Sequence, residues 1–328
     1  MKNMQALTAA ITERDKSINQ FFNDVVKGLR SDPKTLDSKY FYDAVGDKLF
    51  QDLMDCEEYY PTKCELDIFA NQTADVCKTI MDDSAFDLIE LGAGDATKSS
   101  YLLRYLIANK VDFTYLPIDI SENIISYLTL TLPVSIPGIN IQGLNGEYFQ
   151  MLHKAREVSD RRKVVMFLGS NIGNMPVEVA QAFCAELRKH LSPGDMVLMG
   201  FDLKKNPAVV LAAYNDKGGI TRRFNLNLLE RINRELGGNF KVDKFAHYPT
   251  YDPETGSCKS YLISLEQQTV QIGNEKISFA KDEYIYMEIS QKFTIAQTEG
   301  MGKLAGFKTL ASFTDSKGWF VDTVWEAV

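Results

Sequence analysis

Histidine is scarce. His153, His190 and His247 are the only three imidazoles in 328 residues, and their scatter does not match the ligand spacing of a zinc site. The five cysteines, Cys56, Cys64, Cys77, Cys184 and Cys258, form no C-x-x-C pair and are odd in number. That argues against a disulfide framework and for a reducing, cytoplasmic setting. No run of about eighteen apolar residues is present to span a bilayer. The opening MKNMQALTAAITERDKS lacks the charged-then-apolar order of a secretory leader. Basic residues are in deficit, 36 Lys and Arg against 44 Asp and Glu for a net charge of −8, the wrong sign for a phosphate-backbone partner. Repeats and low-complexity tracts are missing too. What is left is a globular chain, 45% hydrophobic and 24% charged, whose expected partner is a small molecule, with neither nucleic acid nor membrane involved and no metal bound. A monomer is expected.

Periodicity supplies the organisation. SINQFFNDVVKGLRSD places Ile18, Phe21, Phe22, Val25, Val26 and Leu29 at helical spacing, with Pro33 after the stop. A second helix carries Leu49, Phe50, Leu53 and Met54 on one face and is expected to end at Pro61. From Cys64 helices alternate with short apolar strands. Helices are predicted over 65–81, 97–108, 122–131, 148–158 and 177–190, between strands in FDLIEL, FTYLPIDI, NIQGL, KVVMFLG and DMVLMGFDL. Strands separated by helices of about ten to fifteen residues imply right-handed crossovers and a parallel sheet covered on both faces. After Leu203 the alternation stops: NPAVVLAAYND and TRRFNLNLLERINRELG read as helices, followed by hairpin strands up to EYIYMEISQKF. A helix near Ile295 and two strands joined at Lys317-Gly318 then resume the α/β pattern. The expected organisation is an N-terminal helical segment (1–61), an α/β domain (62–200 and 294–328), and an inserted α+β domain (201–293).

The stretch DLIELGAGDATKSS sets the ligand question. In a doubly wound sheet the ligand sits where the first strand turns into its helix, and Gly92 and Gly94 keep Cβ atoms out of its way. The dinucleotide fingerprint requires a third glycine, whose place is taken by Thr97. Glu90 and Asp95 make the turn a poor host for a pyrophosphate and a better one for a ligand with a positive centre, such as S-adenosylmethionine. Asp119, ending FTYLPIDI, stands where a carboxylate accepts both ribose hydroxyls.

Other motifs read two ways on local grounds. FLGSNIGN follows the fourth parallel strand and opens on the same crevice, so Asn174 either faces a substrate or, with Asn171, caps the helix after Pro176. Tyr59 and Tyr60 in EYYPT are a pair of ligands or one core and one surface residue. Alternation in YMEIS sends Glu288 and Ser290 to one face, either a binding surface or a solvated edge.

Taken in order, KYFYDAVGDKLF, EYYPT, IELGAGDATK, PIDIS, GSNIGN, AAYND, FNLNLLERINRELGG, EISQKF and LAGF resemble the histidine-specific Nα-methyltransferases of ergothioneine biosynthesis across nearly the whole chain. The resemblance implies a Rossmann-like class I methyltransferase sheet with helices on both faces, and S-adenosylmethionine as methyl donor, leaving S-adenosylhomocysteine. By position it implies that Gly92, Lys98, Asp119, Glu147, Tyr148 and the backbone at Gly169, together with Gly94 of the turn, hold the donor. Glu147 and Tyr148 stand where the family usually has Asp and Phe, which keeps a carboxylate for the adenine amine and a ring beside the base. Tyr42, Asn174 and Tyr214 would hold the backbone groups of the amino acid, with Tyr42 and Asn174 acting on the amine. Tyr59, Glu288 and Ser290 would surround the imidazole.

One position departs from the pattern. Where the family commonly has a methionine, CKSYLIS offers Ser260, which implies more room or polarity. That leaves open a tryptophan-type substrate for the same chemistry. The readings from other classes are a nicotinamide-dependent oxidoreductase, disfavoured by Thr97, and a catalytically silent nucleoside-binding protein.

Overall fold

The computed structural model describes residues 2–82 and 84–328, with side chains from 16 onward. The chain divides into two compact units, Tyr60–Lys205 with Gln291–Val328, and Met1–Tyr59 with Asn206–Ser290.

The first of these is built on a seven-stranded sheet. Numbered along the chain, its strands Phe86–Leu91, Phe113–Asp119, Leu144–Asn145, Arg162–Phe167, Met196–Asp202, Phe307–Thr314 and Phe320–Ala327 are arranged 3-2-1-4-5-7-6. Strand 7 alone runs opposite to the other six. This is the Rossmann-like class I methyltransferase arrangement. Its sequence cause is plain in the first strand, FDLIEL, where every residue is buried. Ile89 and Leu91 join one core cluster with Leu116, Ile118 and Val165, while Phe86 and Leu88 join another with Tyr115, Val164 and helix residues Leu102 and Leu106. Alternate residues therefore feed two cores, as a sheet covered on both faces requires.

Helix boundaries shift where sequence signals compete. The helix expected over 65–81 runs Tyr60–Ile80, so Pro61 does not end a helix but sits in the first turn of one, where its missing N–H costs nothing. The helix after Ser121 runs to Ser135, straight through Pro133. The short strand read near NIQGL is displaced to Leu144–Asn145, with an isolated bridge at Ile141. At Gly302 a Cβ would come within 2.7 Å of the Trp325 ring, so this glycine lets the helix Ile295–Ala305 lie against the last strand.

In the second unit the helix Lys2–Leu29 contributes Phe21, Val25 and Leu29 to a core shared with Phe224, Leu228 and Ile232 of the helix Ile220–Leu236 and with Leu262, Ile285 and Met287 of the sheet. That sheet orders Lys34–Thr35, Tyr284–Gln291, Ser257–Ser264 and Phe245–Tyr251. Among the described residues no helix is long and apolar enough to cross a membrane.

Two carboxyls, Asp202 and Glu90, are buried in the seven-stranded sheet. Asp202 is fully buried and accepts from Tyr60 Oη at 2.8 Å and Lys292 Nζ at 2.7 Å, with Lys205 on its other oxygen. Around it the chain leaves and returns: Phe293 N donates to Asp202 O at 2.9 Å and Lys204 N to Phe293 O at 2.8 Å. Glu90 instead accepts a 2.5 Å bond from Tyr115 Oη, and burial pushes its carboxyl up to about 7.

Asp202→Ala should strand two lysines in the interior and cost about 3–5 kcal/mol, read as a lower urea midpoint. For Glu90 the folded state binds the proton more tightly than the unfolded chain. Its stabilising contribution is therefore complete below pH 4.5 and lost as pH rises through about 7, a swing of roughly 3 kcal/mol. Thermal melts from pH 5 to 8 should show a steeper decline for the wild type than for Glu90→Gln; parallel profiles would refute the assignment.

Candidate functional site

The first strand turns into its helix through residues that need left-handed backbone, Gly92 at φ +72°, Gly94 at +53° and Ala96 at +55°. Because the chain order reverses beside this strand, the loops after Leu91 and after Phe167 emerge next to one another. The contacts confirm it. A Cβ on Gly92 would meet the Tyr148 hydroxyl at 2.8 Å and Asn171 Nδ2 at 3.6 Å. One on Gly169, itself at φ +75°, would meet Lys98 Nζ at 3.4 Å and Asn171 Nδ2 at 3.6 Å. Gly92, Lys98, Tyr148 and Gly169 thus converge, with the Asn171 amide between the two glycines.

Asp119 closes the next strand. One of its oxygens accepts from Ser121 N at 2.9 Å, which orients the carboxylate at the strand's end. Glu147 is exposed and precedes the helix Tyr148–Val158 without capping it, so its carboxylate is not committed to the helix. Tyr148 packs edge-on against Phe167 with centroids 5.8 Å apart, and burial pushes its hydroxyl up to about 12, keeping it a neutral donor. Gly94 has open space where a Cβ would stand. Glu90, whose charge the sequence reading set against a pyrophosphate, is turned into the core and bound to Tyr115; of the two acids, only Asp95 remains at the turn, its carboxylate accepting from Thr97 N at 2.9 Å.

Asn174 ends the short helix Asn171–Asn174 and is exposed. Pro176 is the N-cap residue of the following helix and no side chain caps it there, so capping does not account for either asparagine. Sequence reasoning read Asn171 only as a capping residue and passed over Glu65, a buried carboxylate on the helix Tyr60–Ile80 that pairs with Lys98. The only signal for Glu65 was an acidic residue at an otherwise apolar helix position.

In the other unit the expected substrate residues form a connected set. Tyr42, 48% exposed, packs edge-on against Phe50 at 5.6 Å and Phe224 at 5.7 Å. Phe50 touches Tyr59, and Tyr59 touches Tyr214 with centroids 6.2 Å apart. Tyr214 Oη bonds Ser290 Oγ at 2.6 Å. Glu288, on the same half-buried face of its strand, accepts a long 3.4 Å bond from the fully buried Asn225. Phe50, Phe224 and Asn225 are the residues that sequence reasoning missed here, because each reads as ordinary helix interior. Tyr60, by contrast, is core, bonded to Asp202 in the sheet unit.

Ser260 lies on the buried face of its strand, 1% exposed, with its hydroxyl 3.3 Å from His247 Nε2. Burial holds His247 down at about 4, so the ring is neutral near pH 7. The polarity foreseen at Ser260 is thus engaged by the protein's own imidazole.

The family described as histidine-specific, SAM-dependent methyltransferase matches residues 21–327. The histidine N-alpha-methyltransferase of Mycolicibacterium smegmatis is 32% identical over 308 residues, 93% of this chain and 94% of that protein. Its namesake in Mycobacterium tuberculosis is 32% identical over 90% of this chain and 92% of its own. An L-tryptophan methyltransferase of Psilocybe serbica is 28% identical over 90% of each. With the glycine cradle and methyltransferase sheet in place, these likenesses establish that the chain belongs to the histidine-specific, S-adenosylmethionine-dependent methyltransferase family.

Proposed function

We propose that the protein methylates the α-amine of histidine, up to the trimethylated product hercynine. In this reading the sheet unit binds the donor and the unit formed by the N-terminal segment and residues 206–290 binds the amino acid. What carries the substrate assignment is the half-buried face of the strand Tyr284–Gln291, where Ser290 bonds Tyr214 and Glu288 is braced by Asn225. An imidazole has one N–H to donate and one nitrogen to accept, and a carboxylate beside a hydroxyl answers both. The two histidine-methylating relatives, each covering nine-tenths or more of the chain, support the same choice.

The residues of the sheet unit suit the donor. S-adenosylmethionine supplies an electrophilic methyl group on a positive sulfur. Asp119 accepts the ribose hydroxyls, Glu147 the adenine amine, and Tyr148 lies beside the base, while Gly92 and Gly94 leave room for close approach. Lys98 and Gly169 take the amino-acid tail. Transfer to a neutral amine requires alignment and exclusion of water, with no covalent intermediate on the protein. A free α-amine has a pKa of about 8 and is mostly protonated near pH 7. It is bound neutral because a second cation is disfavoured beside a positive sulfur. Tyr42 accepts from the amine N–H and so orients its lone pair, and Tyr59 and Tyr214 wall the amino acid.

Calorimetric titration of the twenty amino acids, with and without S-adenosylhomocysteine, tests the substrate. Histidine should bind, and bind more tightly with the nucleoside present; preference for tryptophan would replace this reading with its nearest rival, and nucleoside binding without any amino acid would favour a silent binding protein. Glu288→Ala should weaken histidine binding by about 2–3 kcal/mol, roughly thirty- to a hundredfold, with nucleoside affinity unchanged. Tyr42→Phe should lower turnover far more than donor affinity. An equal loss in both would remove Tyr42 from the amine.

A further inference from the structure

Glu65 has no local reason to be where it is. It lies within the helix Tyr60–Ile80, fully buried, and burying an unpaired carboxylate costs several kcal/mol. Its partners come from two different loops. Both of its oxygens receive the Gly169 N–H, Oε1 at 2.7 Å and Oε2 at 3.0 Å, and Oε2 also pairs with Lys98 Nζ. The neighbouring strand makes room: a Cβ on Gly200 would collide with Glu65 Oε1 and stand 3.0 Å from Asp322 Oδ1.

The surrounding charges favour the pair. Asp322 is fully buried, and neither of its oxygens finds a donor, as suits a carboxyl that is itself protonated. Burial, reinforced by the Glu65 charge, drives its pKa well above the usual range. Burial works against the Lys98 ammonium, yet Glu65 keeps its pKa above the ordinary value. Lys98 is held by Glu65 while 23% of its side chain stays exposed, so it can receive a second carboxylate. The Gly169 N–H is committed, so what Gly169 offers a ligand is its carbonyl, an acceptor suited to an ammonium.

Resting on the donor-binding reading above, we infer that Glu65 is a positioning residue for the donor's amino-acid tail, holding the Lys98 ammonium and the Gly169 peptide where that tail's carboxylate and ammonium meet them. The role predicts selectivity between two ligands. S-adenosylhomocysteine carries the tail; 5′-methylthioadenosine keeps the adenosine and lacks the tail.

Titration of both into the wild type and Glu65→Gln separates the possibilities. Glutamine still accepts from Gly169 but gives up the charge that holds Lys98. S-adenosylhomocysteine should bind about tenfold or more weakly, with 5′-methylthioadenosine changed by less than about twofold. Equal weakening of both would show a merely structural carboxylate, and unchanged S-adenosylhomocysteine affinity would show an idle one; either overturns the inference. A wild type that binds neither nucleoside refutes the donor reading itself. If Glu65→Gln does not fold, Gly200→Ala carries the test, because its methyl group displaces the carboxylate with the charge intact. The same split between ligands is expected, and its absence overturns the role.

Discussion

The Asp202 carboxylate, gripped by Lys205 and Lys292, is the interaction on which the sheet unit depends. The sheet is interrupted in sequence by residues 206–290, which belong to the other unit. Its last strand, which pairs with the strand before it, can pair with Met196–Asp202 only if the chain returns to the place it left. Lys205 lies on the outgoing side and Lys292 on the returning side, and one buried anion satisfies both. The bridge between Leu203 and Phe293 and the Tyr60 hydroxyl complete the clamp. Two lysine charges buried without that carboxylate would be among the costliest features of the fold.

The same economy of buried charge shapes the carboxyl ends of the strands. Three buried carboxyls, Glu65, Glu90 and Asp322, lie beside one part-exposed lysine, Lys98. Three full negative charges there would repel the carboxylate of any amino-acid tail. Burial eases that difficulty by raising Glu90 to about 7 and Asp322 well above the usual range. Glu65 lies at the position where it can steer a lysine and a peptide from two loops. Left-handed residues at 92, 94 and 169 make the backbone side of the same surface. The cradle is thus glycine on the face a ligand would touch and carboxyl chemistry behind it.

Much of this was legible in the sequence because the strands are continuous apolar runs. FDLIEL is recovered residue for residue, and YFQMLHKAREV is the observed helix Tyr148–Val158. Errors fell where proline carried the signal. Pro61 punctuates the sequence like a stop and is a helix start; the helix expected over 122–131 runs on through Pro133 to Ser135. The glycine turn and Asp119 were readable from local pattern alone. Glu288, Ser290, Tyr42 and Tyr214 were not, since a polar strand face or a lone tyrosine has the same local signature on any surface, and only the family resemblance singled them out. Glu65 and Asn225 escaped both routes. Their partners are separated from them by 104 and 63 residues, a relation that helix periodicity does not encode.

Relatives named for histidine and for tryptophan each align with about nine-tenths of the chain, so overall similarity constrains the chemistry more tightly than the side chain it serves. In the proposed reading the choice resides in a few positions of the unit that holds Glu288 and Ser290. Ser260, standing for a methionine of the family pattern, had suggested a wider or more polar pocket. The fold gives that hydroxyl to His247, a ring that burial keeps neutral, and the pair is self-satisfied on the buried face of the sheet. A polar replacement whose hydrogen bond is made within the protein adds little attraction for a ligand, because the bond is already formed before binding. In the proposed reading discrimination rests on Glu288, the one carboxylate in the set, because a carboxylate accepts a strong hydrogen bond from an imidazole N–H.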